Sequence, residues 1–140
     1  MTKLIYVGNM LSKKGSNQTS IDTLALFLNN SGYSIRRTSS KKNQLIRFLD
    51  MLFTIYKFSK NTNYVLIDTY STSGFWFAYF SGLLCTKLKI KYIPILRGGN
   101  LPKRLKKNPK LCYSLFSKAY VNIAPSAYLY HSFKSHGLII

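Results

Sequence analysis

Apolar residues in this chain fall into short continuous runs that alternate with segments of helical spacing. Leu4–Val7 (LIYV) is a run of the kind found in strands buried on both faces, and Gly8 ends it. After the polar loop NMLSKKGSNQT, Ile21, Leu24, Ala25 and Leu28 recur at helical intervals, with Thr19 or Ser20 as cap and Gly32 as stop. Tyr33–Arg37 reads as a second, more exposed strand. Asn43 to Lys57 reads as an amphipathic helix. Its apolar stripe is Leu45, Phe48, Leu49, Leu52 and Tyr56, expected to pack on a sheet, with Arg47, Asp50, Thr54 and Lys57 on the other side. Tyr64–Asp68 is a third strand, followed by the polar stretch TYSTSG and a largely buried helix over Phe75–Leu88. Lys91–Leu96 (KYIPIL) is a fourth strand in which Pro94 weakens the pattern or marks a bulge. A broken basic stretch over Pro102–Pro109, a helix over Leu111–Lys118 and a fifth strand over Tyr120–Ser126 come next. Ser126 is placed to cap a helix over Ala127–His136, Gly137 ends it, and Leu138–Ile140 opens another strand.

Strand and helix in alternation at this spacing predict an α/β fold: a Rossmann-like, doubly wound parallel sheet formed by residues 1–140 as one domain. Right-handed crossovers place every strand's C-terminal end on one rim, where ligands of open α/β sheets bind. The loops after strands one, three, four and five should therefore share a mouth.

Composition changes the picture in one respect. Twenty-one Lys and Arg stand against three Asp and no Glu, a formal charge of +18. Such a field favours anionic partners: nucleic acid, anionic lipid or phosphorylated small molecules. The lysines are spread along the chain, and Lys, Asn, Ile, Ser and Tyr are the residues an AT-biased genome over-uses, so composition alone also yields such a charge. Cys85 and Cys112 lie among apolar neighbours and read as buried free thiols in a reducing cytosol. No zinc-ligand spacing links them to His131 or His136. The most apolar segment, Phe75–Cys85, is shorter than the about 20 residues that span a bilayer, and no signal peptide precedes it. The expectation is a cytoplasmic protein. The Asn17 and Asn29 acceptor patterns then read as chance matches.

Three rim segments carry candidate chemistry. Lys14, Gly15 and Ser16, with Lys13, precede a helix start that favours an anion, although neither a dinucleotide nor a P-loop pattern is present. Asp68, Thr69 and Ser71 end the third strand with groups that bind a polyol, cap the next helix or, for Asp68, pair with a lysine. After the fourth strand, Arg97 offers a fork for phosphate or carboxylate, Gly98 and Gly99 let the backbone approach a ligand, and Asn100 both donates and accepts. A basic run, Lys103 to Lys110, follows. Ser126, His131 and Asp68 assemble on paper into a hydrolytic triad, but no nucleophile elbow exists. Paired carboxylates for glycoside hydrolysis are not available with three aspartates.

The stretch Tyr64–Pro102, ending LRGGNLP, resembles the N-terminal domain of family 4 glycosyltransferases of GT-B architecture. So do the opening KLIYVGNML…KKGSNQT and the late NIAPSAYL, and the likeness covers essentially the whole chain. Gly15-Ser16 stands where a Gly-Gly pair is more typical, and Arg97 where a histidine often stands. The resemblance implies two Rossmann-like domains facing across a cleft, the second holding most nucleotide-sugar contacts and a Glu-x7-Glu motif. A chain without glutamate then corresponds to the N-terminal, acceptor-side half, either a fragment or a truncated gene product, inactive alone. Implied partners are a nucleotide-sugar donor as substrate, a glycan or lipid-linked acceptor of cell-surface polysaccharide synthesis, and the missing C-terminal domain. No cofactor is permanently bound. Arg97 takes phosphate or acceptor contact, and retaining members need no dedicated base. N-domains of this kind often dock on anionic membranes, which implies a peripheral place at the inner membrane face. The alternatives are a basic α/β nucleic-acid-binding module, disfavoured because most aromatics fall in predicted buried segments, and a complete flavodoxin-like nucleotide-binding protein.

Overall fold

A computed structural model describes residues 1–9 and 20–140. Its elements are β1 (Lys3–Val7), α1 (Ser20–Asn30), β2 (Ser34–Thr38), α2 (Gln44–Lys57), a 3-10 turn (Ser59–Asn61), β3 (Tyr64–Thr69), α3 (Gly74–Lys87), β4 (Lys91–Leu96), α4 (Leu101–Lys107), α5 (Pro109–Phe116) and α6 (Ala127–Ser135). The strands form one parallel sheet in the order β2-β1-β3-β4, flanked by helices on both faces, a Rossmann-like α/β fold. Alternate residues of each strand feed two cores. Ile5, Val7, Val65, Ile67, Tyr92 and Leu96 pack with α2 to α6, while Leu4, Tyr6, Leu66 and Ile95 pack with Ile21 and Ala25 of α1. Strand order reverses between β1 and β3, so the crevice beyond Val7 and Thr69 is the sheet's switch point.

Pro94 is accommodated without breaking β4, where it pairs in register with Ile67. The N–H of Leu96, two residues on, donates to the Ile123 carbonyl, so the N–H that Pro94 lacks falls on the side away from β3. On that outer side the expected fifth strand shrinks to a single bridge, Ile95 with Ile123. Tyr120 and Ile123, three residues apart, donate to Tyr92 and Pro94, two residues apart. That mismatch is a bulge, and it breaks the ladder. The expected sixth strand likewise makes no ladder among the described residues: its Ile139 carbonyl accepts from the N–H and from the side-chain amide of Asn122 alone.

Two further expectations are corrected. The broken basic stretch is helical: Pro102 and Pro109 sit in the first turns of α4 and α5, where a missing N–H costs nothing, so they start helices rather than stop them. Helix α2 is rotated from the orientation its strongest apolar stripe suggests. Its buried residues are Arg47, Met51, Thr54 and Ile55, also a helical stripe. The polar members find partners at hand, except that Arg47 Nε is buried without one among the described residues. Arg47 donates to the carbonyls of Lys41 and Lys42 at 3.1 and 3.2 Å, and Thr54 to that of Asp50 at 2.7 Å. Leu45, Leu49 and Tyr56 face outward instead. Both cysteines are free and buried, as expected, and burial pushes their thiols up to about 12 for Cys85 and about 11 for Cys112.

Candidate functional site

The period of two along each strand decides which side chains meet at the rim. Tyr6 pairs with Leu66, so Asp68 lies on the same face one repeat further on. Asp68 pairs with Ile95, so Arg97 follows on that face one repeat further again. All three point to the α1 side of the sheet, at the C-terminal end of the switch point.

They form one closed cluster. The Tyr6 hydroxyl donates to Asp68 Oδ1 at 2.9 Å, Arg97 Nε donates to the same oxygen at 3.2 Å, and Arg97 Nη2 donates to the Tyr6 hydroxyl at 3.2 Å. The Asp68 side chain is only 2% exposed and that of Arg97 21%, so the carboxylate is the floor and the guanidinium the lip. Gly8 completes the floor: a Cβ there would stand 2.7 Å from Asp68 Oδ2, closer than atoms tolerate.

Burial is the largest influence on Asp68 and raises its carboxyl above the usual range, while the Arg97 charge and the two hydrogen bonds pull it back. Burial, then the Asp68 charge, raises the Tyr6 hydroxyl far above its ordinary value, so Tyr6 keeps its proton. Burial works against the Arg97 charge, but Asp68 and Tyr6 outweigh it and Arg97 stays cationic. In the cluster the Asp68 carboxylate is engaged by both Tyr6 and Arg97. The cluster is a positioning device that fixes a cation at the mouth, and Arg97 Nη1 makes no hydrogen bond among the described residues.

The backbone around it is equally fixed. Arg97 N–H donates to the Thr69 carbonyl at 2.8 Å, locking the β3 and β4 ends together. Gly98 has φ +107, a left-handed conformation that suits glycine, and it brings the chain past the Ser71 hydroxyl. Arg104 of α4 donates to the Ser71 carbonyl at 3.0 Å with its guanidinium 4.2 Å from the centre of the Phe75 ring. Gly99 and Asn100 are exposed, and the Asn100 side chain makes no capping bond to α4.

The other predicted residues divide. Thr69 is fully buried with its hydroxyl bonded to the Ile67 carbonyl, and it points to the opposite face, so its side chain does not line the mouth. Ser126 lies beyond the Ile95–Ile123 bridge, on the same rim. Its hydroxyl accepts from Leu129 N–H at 3.3 Å as the cap of α6. With Ser126 capping and Asp68 held by Tyr6 and Arg97, no hydrolytic triad is assembled. Lys14, Gly15 and Ser16, with Lys13 and the Thr19 cap, lie outside the described residues. Sequence reasoning missed Tyr6 and Gly8. The signal was available in strand parity, which puts Tyr6 on the face of Asp68, but a tyrosine inside LIYV reads first as core.

Among the described residues no three His, Cys, Asp or Glu side chains gather to hold a metal, and no helix is long and apolar enough to cross a membrane. Fold and site together define a Rossmann-like α/β domain with a fixed arginine at its switch point. No protein-family model matches the chain, and no curated protein matches it in sequence.

Proposed function

We propose that this chain is the acceptor-side, N-terminal Rossmann-like domain of a GT-B glycosyltransferase. The whole enzyme moves a sugar from a nucleotide-sugar donor to a glycan or lipid-linked acceptor of cell-surface polysaccharide synthesis, in the cytoplasm. The observation that carries this reading is Arg97, held at the end of β4 by Asp68 and Tyr6 through Nε and Nη2, partly exposed, with an open Gly98–Gly99 backbone beside it. An arginine so fixed suits a phosphate or carboxylate. A site that positions a cation fits a domain that binds an anionic group. Gly98, Gly99, Asn100 and Ser71 supply neutral hydrogen-bonding groups around that anion, and a second domain supplies the remaining donor contacts.

Amide NMR titration of the chain with UDP-glucose, UDP-N-acetylglucosamine and a short polyprenyl phosphate tests this. We expect the amides of Gly8, Gly98 and Gly99 to shift with at least one of these ligands, the shifts to vanish in Arg97→Gln, and no sugar transfer by the chain alone. Unmoved rim amides, or salt-sensitive binding of single-stranded RNA on another face, would overturn the reading in favour of a nucleic-acid module.

A further inference from the structure

Helices α2 and α3 connect successive strands of one parallel sheet and pack into the same core, so they lie side by side and point the same way. Between them Phe48 and Phe77, both half-buried, stack at 5.7 Å between ring centres. Leu45, Trp76 and Phe80 stand around this pair and line with it an open groove of about 330 Å³. Leu49, Phe53 and Tyr56 continue the apolar surface along α2. Leu45, Leu49, Phe53, Tyr56, Trp76 and Phe80 are each between 40% and 65% exposed. An exposed apolar surface of this extent marks a contact site.

Shape and charge select the occupant. The trough between two parallel helices is where a third helix seats its own ridge of side chains. A second copy would bring the same +18 charge to the contact and repel. The chain's three acids are engaged elsewhere: Asp22 with Arg37 at 3.2 Å, Asp50 with the Thr38 hydroxyl at 3.4 Å, and Asp68 in the rim cluster. Exposed lysines flank the apolar surface instead, Lys41 and Lys42 ahead of α2 and Lys57 and Lys60 at its far end. Lys57 Nζ lies 5.8 Å from the centre of the Phe53 ring. The complement of such a surface is a helix with an apolar ridge and carboxylates along its flanks.

We propose that the α2–α3 groove is the docking site of an acidic amphipathic helix supplied by a protein partner. Its leucine or aromatic ridge fills the groove over Phe48 and Phe77, and its carboxylates face Lys41, Lys42, Lys57 and Lys60. The proposal is independent of the rim reading, because the rim cluster contributes nothing to this face.

Trp76 is the chain's only tryptophan and reports on the groove directly. The intact chain is titrated with a synthetic peptide of about 16 residues, too short to be firmly helical alone, carrying leucine at every third or fourth position and glutamate between. A scrambled peptide of the same composition is the control. With the patterned peptide we expect Trp76 emission to shift to shorter wavelength and the peptide to gain helical circular dichroism. Leu45→Ser with Phe80→Ser should weaken binding about 100-fold. Lys41→Gln with Lys42→Gln should weaken it about fivefold at low salt and less at high salt. Circular dichroism of the free variants confirms that each is folded. Unshifted Trp76 emission, equal binding of the scrambled peptide, or a double-serine variant that binds like the parent would overturn the proposal. So would a dimer in sedimentation equilibrium that the double-serine variant abolishes and the peptide fails to dissociate. Vesicles containing phosphatidylglycerol supply the last arm: a Trp76 shift on them that the peptide cannot compete away would assign the face to lipid instead.

Discussion

The rim cluster and the α2–α3 face both reverse the usual distribution of polar and apolar groups, and they do so in opposite ways. At the rim a carboxylate and part of a guanidinium are taken out of water. On α2 and α3, leucine and aromatic side chains are left in it. The difference lies in what each region supplies for itself. Asp68 receives hydrogen bonds from Tyr6 and Arg97, and Gly8 makes room for its second oxygen, so the buried charge is paired within the described residues. The apolar face has nothing on the described chain to cover it. Substitution at the rim should therefore damage the fold, while substitution on the face should damage only what docks there.

The largest effect expected is at Asp68. Asp68→Ala removes the counter-charge and one acceptor from both Tyr6 and Arg97, leaving a half-buried cation beside a hydroxyl whose proton has lost its acceptor. Breaking a buried pair from one side costs about 3–5 kcal/mol, and the partial exposure of Arg97 puts the loss at about 3 kcal/mol. Urea unfolding monitored by circular dichroism measures it, and adding Arg97→Met to Asp68→Ala should recover part of the loss. A loss below about 1 kcal/mol would mean that the cluster is not the closed unit its geometry describes.

Gly8→Ala comes next. The added methyl would stand 2.7 Å from Asp68 Oδ2 and 3.2 Å from Ile21 Cδ1, and the carboxylate cannot swing aside without leaving Tyr6 and Arg97. Gly8 itself is tied to β2 by its N–H to the Thr38 carbonyl and by its carbonyl to the Ser39 N–H. A cost of about 2 kcal/mol is expected from overpacking, read from the same unfolding curves. If Gly8→Ala costs as much in an Asp68→Ala background as in the parent, the clash is with α1 rather than with the carboxylate.

How far these regions could be read from the sequence follows from how local their determinants are. The parallel sheet and the rim were legible because apolar runs and helical repeats are short-range patterns that fix strand order only up to handedness, and handedness is nearly invariant. Arg97, Gly98 and Gly99 stood out because a charge and two glycines directly after a buried strand are unusual in one window. Tyr6 did not, since its role comes from a register between strands some sixty residues apart. Pro102 and Pro109 misled because proline starts a helix as readily as it stops one. Helix α2 carries two stripes of helical period, and the more apolar was assigned to the core. The stripe with Arg47 and Thr54 occupies the core with Arg47 Nη1 and the Thr54 hydroxyl bonded to nearby carbonyls, although Arg47 Nε is left without a partner among the described residues, and no hydrophobicity pattern encodes that.

The smallest effect expected is on the face itself, and it separates the two regions most sharply. Phe53 is exposed, and its ring meets the Lys57 ammonium group rather than the core. Phe53→Ser should change unfolding free energy by less than about 0.5 kcal/mol, as surface substitutions usually do. Met51 and Ile55 on the opposite side of α2 are fully buried, and Ile55→Ala should cost several times more, within the about 2–5 kcal/mol of a truncated core isoleucine. If Phe53→Ser instead matched Ile55→Ala, α2 would be packed through its apolar stripe after all. The outward face would then be part of the core, and the contrast with the rim would disappear.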